Sequence, residues 1–327
     1  FADYIIDLGP GAGEHGGHVI FQGTPTELMS DGAGSLTGKY LRGERAISTP
    51  LARRPAVRGA LVIRGARANN LKEIDVAIPL GVLTAITGVS GSGKSTLVNE
   101  ILYRALARAL YRAKDDVGAH TRIEGIECVD KVIQIDQSPI GRTPRSNPVT
   151  YIKAWEHVRK LFAAHHLSTE RGFGPGHFSF NVSGGRCEVC KGAGQVKIEM
   201  VFMADVYVRC DTCGGARYKR ELLEVKVRGK NVSEILKLTV TEAIRFFIRE
   251  RKLGQKLWQL QQVGLGYLRL GQAATTLSGG EAQRLKIARE FTSAAGKKGR
   301  KLYILDEPTT GLSGEDVGKL LEVLDRL

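Results

Sequence analysis

The segment Gly88-Val-Ser-Gly-Ser-Gly93-Lys94-Ser95 matches G-x-x-x-x-G-K-[ST] at every position. It follows an apolar run, VLTAIT, and opens the helix-like stretch STLVNEILYRALARALYRA. A strand, a glycine-rich loop and a helix in that order form a phosphate cradle. Glycines let successive backbone N–H groups turn inward, and the helix N-terminus adds the positive end of its dipole. Gly88, Ser90, Gly91, Gly93, Lys94, Ser95 and Thr96 are therefore the expected nucleotide contacts. Lys94 would reach the β- and γ-phosphates of ATP, and Ser95 would ligate Mg²⁺. This context commits the chain to an α/β core with a buried strand at VLTAIT.

Two later segments fit such a core. Leu302-Tyr-Ile-Leu-Asp306-Glu307 reads as an apolar strand ending in two carboxylates. That places Asp306 at the carboxyl edge of a parallel sheet as a second Mg²⁺ partner, and Glu307 where it would polarise an attacking water. Leu277-Ser278-Gly279-Gly280-Glu281 precedes the helical pattern AQRLKIARE, so Ser278, Gly279 and Gly280 sit at a helix N-terminus. An anion site and a plain serine cap explain these residues equally well.

Cys187-x-x-Cys190 and Cys210-x-x-Cys213, nineteen residues apart, have the spacing of a four-cysteine zinc site. Four thiolates close a tetrahedron, so the expected Zn²⁺ is structural rather than catalytic. Gly192, Gly194, Gly214 and Gly215 allow the tight knuckles, and Cys128 reads as a core residue. Around the pairs lie Arg142, Arg145, Arg171, Arg186, Lys191, Lys197, Arg209, Arg217, Lys219 and Arg220, interleaved with Phe173, Phe178, Phe180, Tyr207 and Tyr218. That mixture suits either contact with a phosphate backbone or a solvated basic face.

Lys+Arg 48 against Asp+Glu 34 gives a net charge of +14, which suits a polyanionic partner such as nucleic acid. With 42% hydrophobic residues the chain has material for a sizeable core. No run approaches the ~18–20 apolar residues of a membrane helix, and FADYIIDLGP has no signal-peptide pattern. A reducing, cytoplasmic setting and no membrane partner are expected.

The order phosphate loop, LSGGEAQR, LYILDEP resembles the ATP-binding-cassette (ABC) ATPases. The resemblance implies that LSGGE contacts ATP held on an opposite cassette, and that Gln137, in IDQSPIGRTPRSNP, is the glutamine of the Q-loop. A cassette interrupted by a four-cysteine module resembles the UvrA family more specifically, the damage-recognition ATPases of bacterial nucleotide excision repair. FSFNVSGGRCEVCKGAGQVKIEMVFMADVYVRCDTCGGARY, LGQAATTLSGGEAQRLKIA and LDEPTTGL carry that likeness, and ADYIIDLGPGAGEHGG resembles the end of a first cassette.

The implied architecture is an α/β, ABC-type P-loop ATPase core with an inserted helical, zinc-binding signature domain. Its implied parts are the tail of a first cassette (1–41), a basic linker (42–59), an ATP-binding core (60–136), the inserted domain (137–270), and the signature helix with the second carboxylate strand (271–327). The resemblance further implies a homodimer that binds damaged double-stranded DNA and loads a UvrB-type helicase through a domain outside this sequence. Ser313 stands where the family pattern TTGLH has histidine, and the switch histidine is expected beyond Leu327. A paralogue protecting against a drug, an ATPase subunit of a non-DNA ABC system, and a non-functional gene fragment are the alternative readings.

Overall fold

The computed structural model describes residues 2–11, 13–31, 34–141, 143–200, 202, 205–294 and 299–326. The chain divides into two compact units. One comprises residues 1–47, 137–295 and 309–327; the other comprises 48–136 and 296–308.

The larger unit opens with strands β1 (Ile5–Gly9) and β2 (His18–Gly23), an antiparallel pair, then helices α1 (Pro25–Asp31) and α2 (Leu36–Leu41). Thr24, then proline, then Glu27 three residues after the threonine reads as a capped helix start, and that start forms. Thr24 Oγ1 accepts from the Glu27 amide at 3.3 Å, and the Glu27 carboxylate accepts from the Thr24 amide at 2.7 Å.

The smaller unit then builds an antiparallel sheet. β3 (Ala60–Ala66) lies between β4 (Ile74–Pro79) and β5 (Arg122–Glu124), while a π-helical stretch (Thr96–Tyr103) runs into α3 (Arg104–Tyr111). β6 (Lys131–Ile135) completes this part of the unit. Leu61, Ile63, Ile101 and Leu106 are fully buried in one core with Val132.

The larger unit resumes with α4 (Pro148–Tyr151), α5 (Trp155–Ala163) and α6 (His166–Glu170). Next come the antiparallel hairpin β7 (Gln195–Ile198) and β8 (Val206–Arg209), α7 (Arg220–Leu223), and the short pair β9 (Lys226–Val227) and β10 (Lys230–Asn231). Helices α8 (Val232–Lys237), α9 (Val240–Phe246), α10 (Arg251–Gln262) and α11 (Gly279–Ala294) follow. β11 (Lys301–Leu305) belongs to the smaller unit and pairs in parallel with β6; α12 (Gly314–Asp325) closes the larger one. Ser313, in the family's histidine position, is the N-cap of α12, its Oγ accepting from the Asp316 amide at 3.2 Å.

Three sequence expectations need correction. VLTAIT is not a buried strand: residues 82–88 have no ladder partner, and Leu83 and Ile86 are 69% and 37% exposed. An apolar run predicts burial but does not choose a neighbour. The Tyr111 hydroxyl accepts from the Val132 N–H at 2.9 Å and donates to its carbonyl at 3.1 Å. Both are β6 groups that a further strand would otherwise use.

The sequence over about 241–262 reads as one helical stretch, but it forms two helices, α9 and α10. Arg228 caps the end of α9 through the Phe246 carbonyl (2.6 Å) and pairs with Glu250 (2.5 Å), just before α10. The turn buries Phe247 completely while leaving Ile248 exposed. Cys128, finally, is half-buried at the end of a 3₁₀ turn (Ile126–Cys128) rather than in the core.

Tyr111→Phe should lower stability in urea unfolding by roughly 1–3 kcal/mol, because it strands the partly buried Val132 amide. An unchanged midpoint would show that the hydroxyl does not close that edge.

Candidate nucleotide and four-cysteine sites

The phosphate loop takes the backbone form its glycines permit: Gly91 has φ +76° and Gly93 φ +96°. A Cβ on Gly93 would stand 2.8 Å from Leu71 and 3.0 Å from Asn70 Oδ1, so bulk is excluded as well. Lys94 folds across its own loop, its Nζ donating to the carbonyls of Gly88 (2.7 Å) and Val89 (2.8 Å). Ser95 and Thr96 begin the helical backbone, while Ser90 sits on the exposed turn.

Two residues missed by motif reading brace this loop. Asn70 Nδ2 donates to the Gly91 carbonyl at 2.7 Å. Asn69 Nδ2 donates to Thr96 Oγ1 at 3.0 Å and to Glu100 at 3.2 Å. Asn69 adopts φ +53°, a left-handed conformation asparagine tolerates well. The Asn-Asn pair before a strand was their only sequence signal.

The second carboxylate segment lies in the same unit. β6 and β11 run in register, Ile135 beside Leu305, and the Asp306 amide donates to the Ile135 carbonyl at 3.2 Å. Asp306 therefore sits at the carboxyl end of the parallel pair, where sequence placed it. Glu307 follows with φ +43°, which turns the chain sharply after the strand. Asn99, in the π-helical stretch, accepts from Gln134 of β6 at 3.2 Å. That contact holds the phosphate-loop helix beside the strand end leading to Asp136.

Gln137 and the LSGGE loop lie in the larger unit, next to each other. A Cβ on Gly279 would meet Gln137 Cβ and Oε1, both at 3.1 Å. Ser278 is a genuine N-cap: its Oγ accepts from the Glu281 amide at 3.3 Å, and the Glu281 carboxylate accepts from the Ser278 amide at 2.8 Å. The Tyr267 hydroxyl donates to the same carboxylate, and burial pushes that phenol's pKa up. Lys286 on α11 donates to Ser138 at 2.8 Å, tying the residue after Gln137 to the signature helix. The cap reading of Ser278 thus holds, and the absence of a Cβ on Gly279 lets Gln137 pack against the helix end.

The four cysteines converge: the sulfurs of Cys187, Cys190, Cys210 and Cys213 all lie within 4.8 Å of one another. The Cys190–Cys213 separation is 3.7 Å, close to the ~3.8 Å edge of a tetrahedron with Zn–S bonds of ~2.3 Å. Lys191 and Gly192 adopt φ +48° and +80°, and Gly214 and Gly215 φ +52° and +77°, giving each pair its knuckle. A Cβ on Gly192 would lie 1.9 Å from the Phe180 carbonyl oxygen. Burial pushes the Cys190 thiol up to about 12, whereas the backbone N–H of Cys213 chiefly draws Cys210 down to about 7. A bound divalent cation would deprotonate all four. The donor set, spacing and knuckles fit a closed structural metal site.

The basic and aromatic residues around the cluster divide by role. Phe178, Phe180 and Tyr218 are fully buried core, packed in tilted and edge-on arrangements, so they are not available for stacking on a ligand. Burying that much ring area outweighs exposure for an interaction surface. Tyr207 on β8 is exposed, and Phe173 is half-buried. Lys197 pairs with Asp205 and Glu199, Arg171 with Glu224, Arg209 with the Gly214 carbonyl, and Arg186 with Glu188 and the Asn181 carbonyl. Arg145 is half-buried, Lys191, Lys219 and Arg220 are exposed, and Arg142 lies outside the described residues.

No helix among the described residues is long and apolar enough to cross a membrane. Replacing Gly192 with alanine should cut bound zinc well below the about one ion per chain expected of a four-cysteine site, although all four thiols remain. Full zinc content in Gly192→Ala would mean the knuckle tolerates the clash.

Comparison with known proteins agrees with the geometry. A profile of the family described as ABC transporter matches residues 192–310, which hold the signature loop and Asp306–Glu307 but not the phosphate loop. UvrABC system protein A from Methanothermobacter thermautotrophicus is 57% identical over 326 residues, all of this chain and 34% of that protein. The protein of the same name from Staphylococcus aureus is 56% identical over the same coverage. The crystal structure of UvrA2 from Deinococcus radiodurans superposes with a TM-score of 0.90 at 47% identity, covering 99% of this chain and 38% of that one. The chain spans about a third of the length of the curated relatives it matches. In fold, motif order and sequence this chain is similar along its whole length to part of the UvrA proteins, with an ABC-type ATPase domain.

Proposed function

We propose that this chain is the cassette of a UvrA-type damage-recognition protein that binds and hydrolyses ATP to control its engagement of duplex DNA. The observation that carries the reading is the four-cysteine module. It lies in sequence between the phosphate loop at 88–95 and the signature loop at 277–281, in a chain similar to UvrA throughout.

In this reading Lys94 exchanges the Gly88 and Val89 carbonyls for the β- and γ-phosphate oxygens of ATP. Its Nζ already lies over the loop, so the change needs only a rotation of the side chain. The N–H groups of Gly91, Gly93 and Lys94 turn toward the phosphates, and Asn69 and Asn70 hold the loop in shape. Bound Mg²⁺ supplies charge neutralisation at the phosphates, with Ser95 and Asp306 as its protein partners. Glu307 orients the attacking water and accepts its proton. Gln137 senses the nucleotide, and its contact with Gly279 passes that state to the signature loop. Ser278, Gly279 and Gly280 serve ATP held by an opposite cassette.

The four cysteines hold a structural Zn²⁺, and the basic surface meets DNA phosphates, so that lesions are read through duplex shape and deformability. Homodimerisation, loading of a UvrB-type partner and a cytoplasmic location complete the proposal. A paralogue with a protective role is the second reading, favoured by Ser313 standing where the pattern TTGLH has histidine.

Lys94→Ala in the intact protein should lower ATP hydrolysis by on the order of 100-fold or more, since the lysine stabilises charge that builds on the phosphates. Steady-state phosphate release measures it. Turnover at the wild-type rate would remove this loop from the chemistry.

A further inference from the structure

We propose that Arg217 is a positioning residue: it is the counter-charge of the four-cysteine cluster and the strut joining that cluster to the segment, 271–278, that leads into the signature loop. Its backbone already links the two knuckles. The Arg217 carbonyl accepts from the Cys187 amide at 2.9 Å, and one residue earlier the Ala216 amide donates to the Cys213 carbonyl at 2.9 Å. Four residues past the last cysteine, it holds φ +72°, a left-handed conformation that aims the side chain back across the module.

The guanidinium then does three things. It stacks over the fully buried Phe180 ring at 5.4 Å, it donates from Nη2 to the Gly271 carbonyl at 2.9 Å, and it buries Nη1 with no hydrogen-bond partner. An unpartnered buried cationic nitrogen is costly unless a negative charge faces it. The acidic groups near it are Tyr218, Cys190 and Cys213; burial keeps the Tyr218 phenol protonated, which leaves the two thiolates of a metal-loaded cluster as the negative charges. Four thiolates around one divalent cation carry two net negative charges, so the cluster and the arginine compensate each other.

Gly271 is a fixed point at the other end. Its amide donates to the Leu236 carbonyl at 2.8 Å, and a Cβ there would come within 2.8 Å of the Leu236 side chain. Three residues on, the Ala274 amide donates to the Ser146 carbonyl at 2.7 Å, and Ser278 caps α11. One planar side chain thus connects the thiolate cluster to the backbone that sets where the signature helix begins. The effect on turnover rests on the reading of Leu277–Glu281 as a nucleotide-contacting loop; the charge and strut roles do not.

The test compares Arg217→Lys and Arg217→Met in the intact protein. Zinc affinity is read by chelator competition, backbone exposure over 271–278 by hydrogen–deuterium exchange, and ATP turnover by phosphate release. Lysine keeps the charge but not the planar fork that stacks and donates together. Arg217→Met should weaken zinc about 10–100-fold, the usual effect of losing a group that supports metal ligands, and Arg217→Lys should restore most of it. Both variants should exchange faster over 271–278, with α10 unchanged. Equal zinc loss in both variants overturns the counter-charge role, and unchanged exchange over 271–278 overturns the strut. If zinc and exchange shift as expected while ATP turnover stays at wild type, Arg217 keeps its assignment and the nucleotide reading of the loop fails.

Discussion

The convergence of four thiols is the constraint on which the larger unit depends. Residues 172–220 contain little regular structure: near the cysteines the described residues pair only in the short hairpin of β7 and β8 and in one antiparallel bridge, Arg186 with Tyr218. A segment so rich in glycine cannot repay its ordering entropy through secondary structure. The sulfur cluster and the aromatic layer of Trp155, Phe178, Phe180 and Tyr218 take over that role. The Trp155 Nε1–H and the Tyr218 hydroxyl both donate to the Phe178 carbonyl, so the layer is tied to the loop preceding the first knuckle. The clustered sulfurs and the aromatic packing together give a sequence with little regular structure one shape.

The smaller unit relies on a different device. Its apolar core gathers β3, the helix after the phosphate loop and β6, while polar side chains hold the functional backbone. Asn70 hydrogen-bonds the backbone of the phosphate loop and Tyr111 that of β6, while Asn69 bonds side chains of the phosphate-loop helix and Asn99 ties that helix to β6. At the unit's edge Arg300 pairs with Asp130, whose carboxyl is held down to about 2 chiefly by that guanidinium. Its stabilising effect is complete above the ordinary aspartate range and disappears as pH falls through about 2.

Much of this was legible in the sequence, for identifiable reasons. Motifs with strict spacing, such as Gly88–Ser95 and the cysteine pairs, specify backbone conformation directly, and the structure brings the cysteines together as their spacing requires. Caps at Thr24 and Ser278 were readable because both partners lie within three residues. What escaped were properties set by distant neighbours. VLTAIT has the composition of a core strand, but its fate depends on Tyr111. The buried role of Phe180 and the reach of Arg217 to Gly271 depend on contacts far along the chain. Basic residues read as one surface divide into ion pairs, carbonyl struts and exposed groups.

In the proposed function, nucleotide occupancy controls recognition of distorted DNA. Its most direct test is a titration of the intact protein against matched duplexes, one carrying a bulky lesion, at fixed salt, with ATP, with a non-hydrolysable analogue and without nucleotide. Fixed salt matters because phosphate contacts dominate the affinity. The expected result is a preference for the lesion duplex whose size changes with nucleotide state. Equal affinity for both duplexes under all three conditions, or no DNA binding at moderate salt, would contradict it.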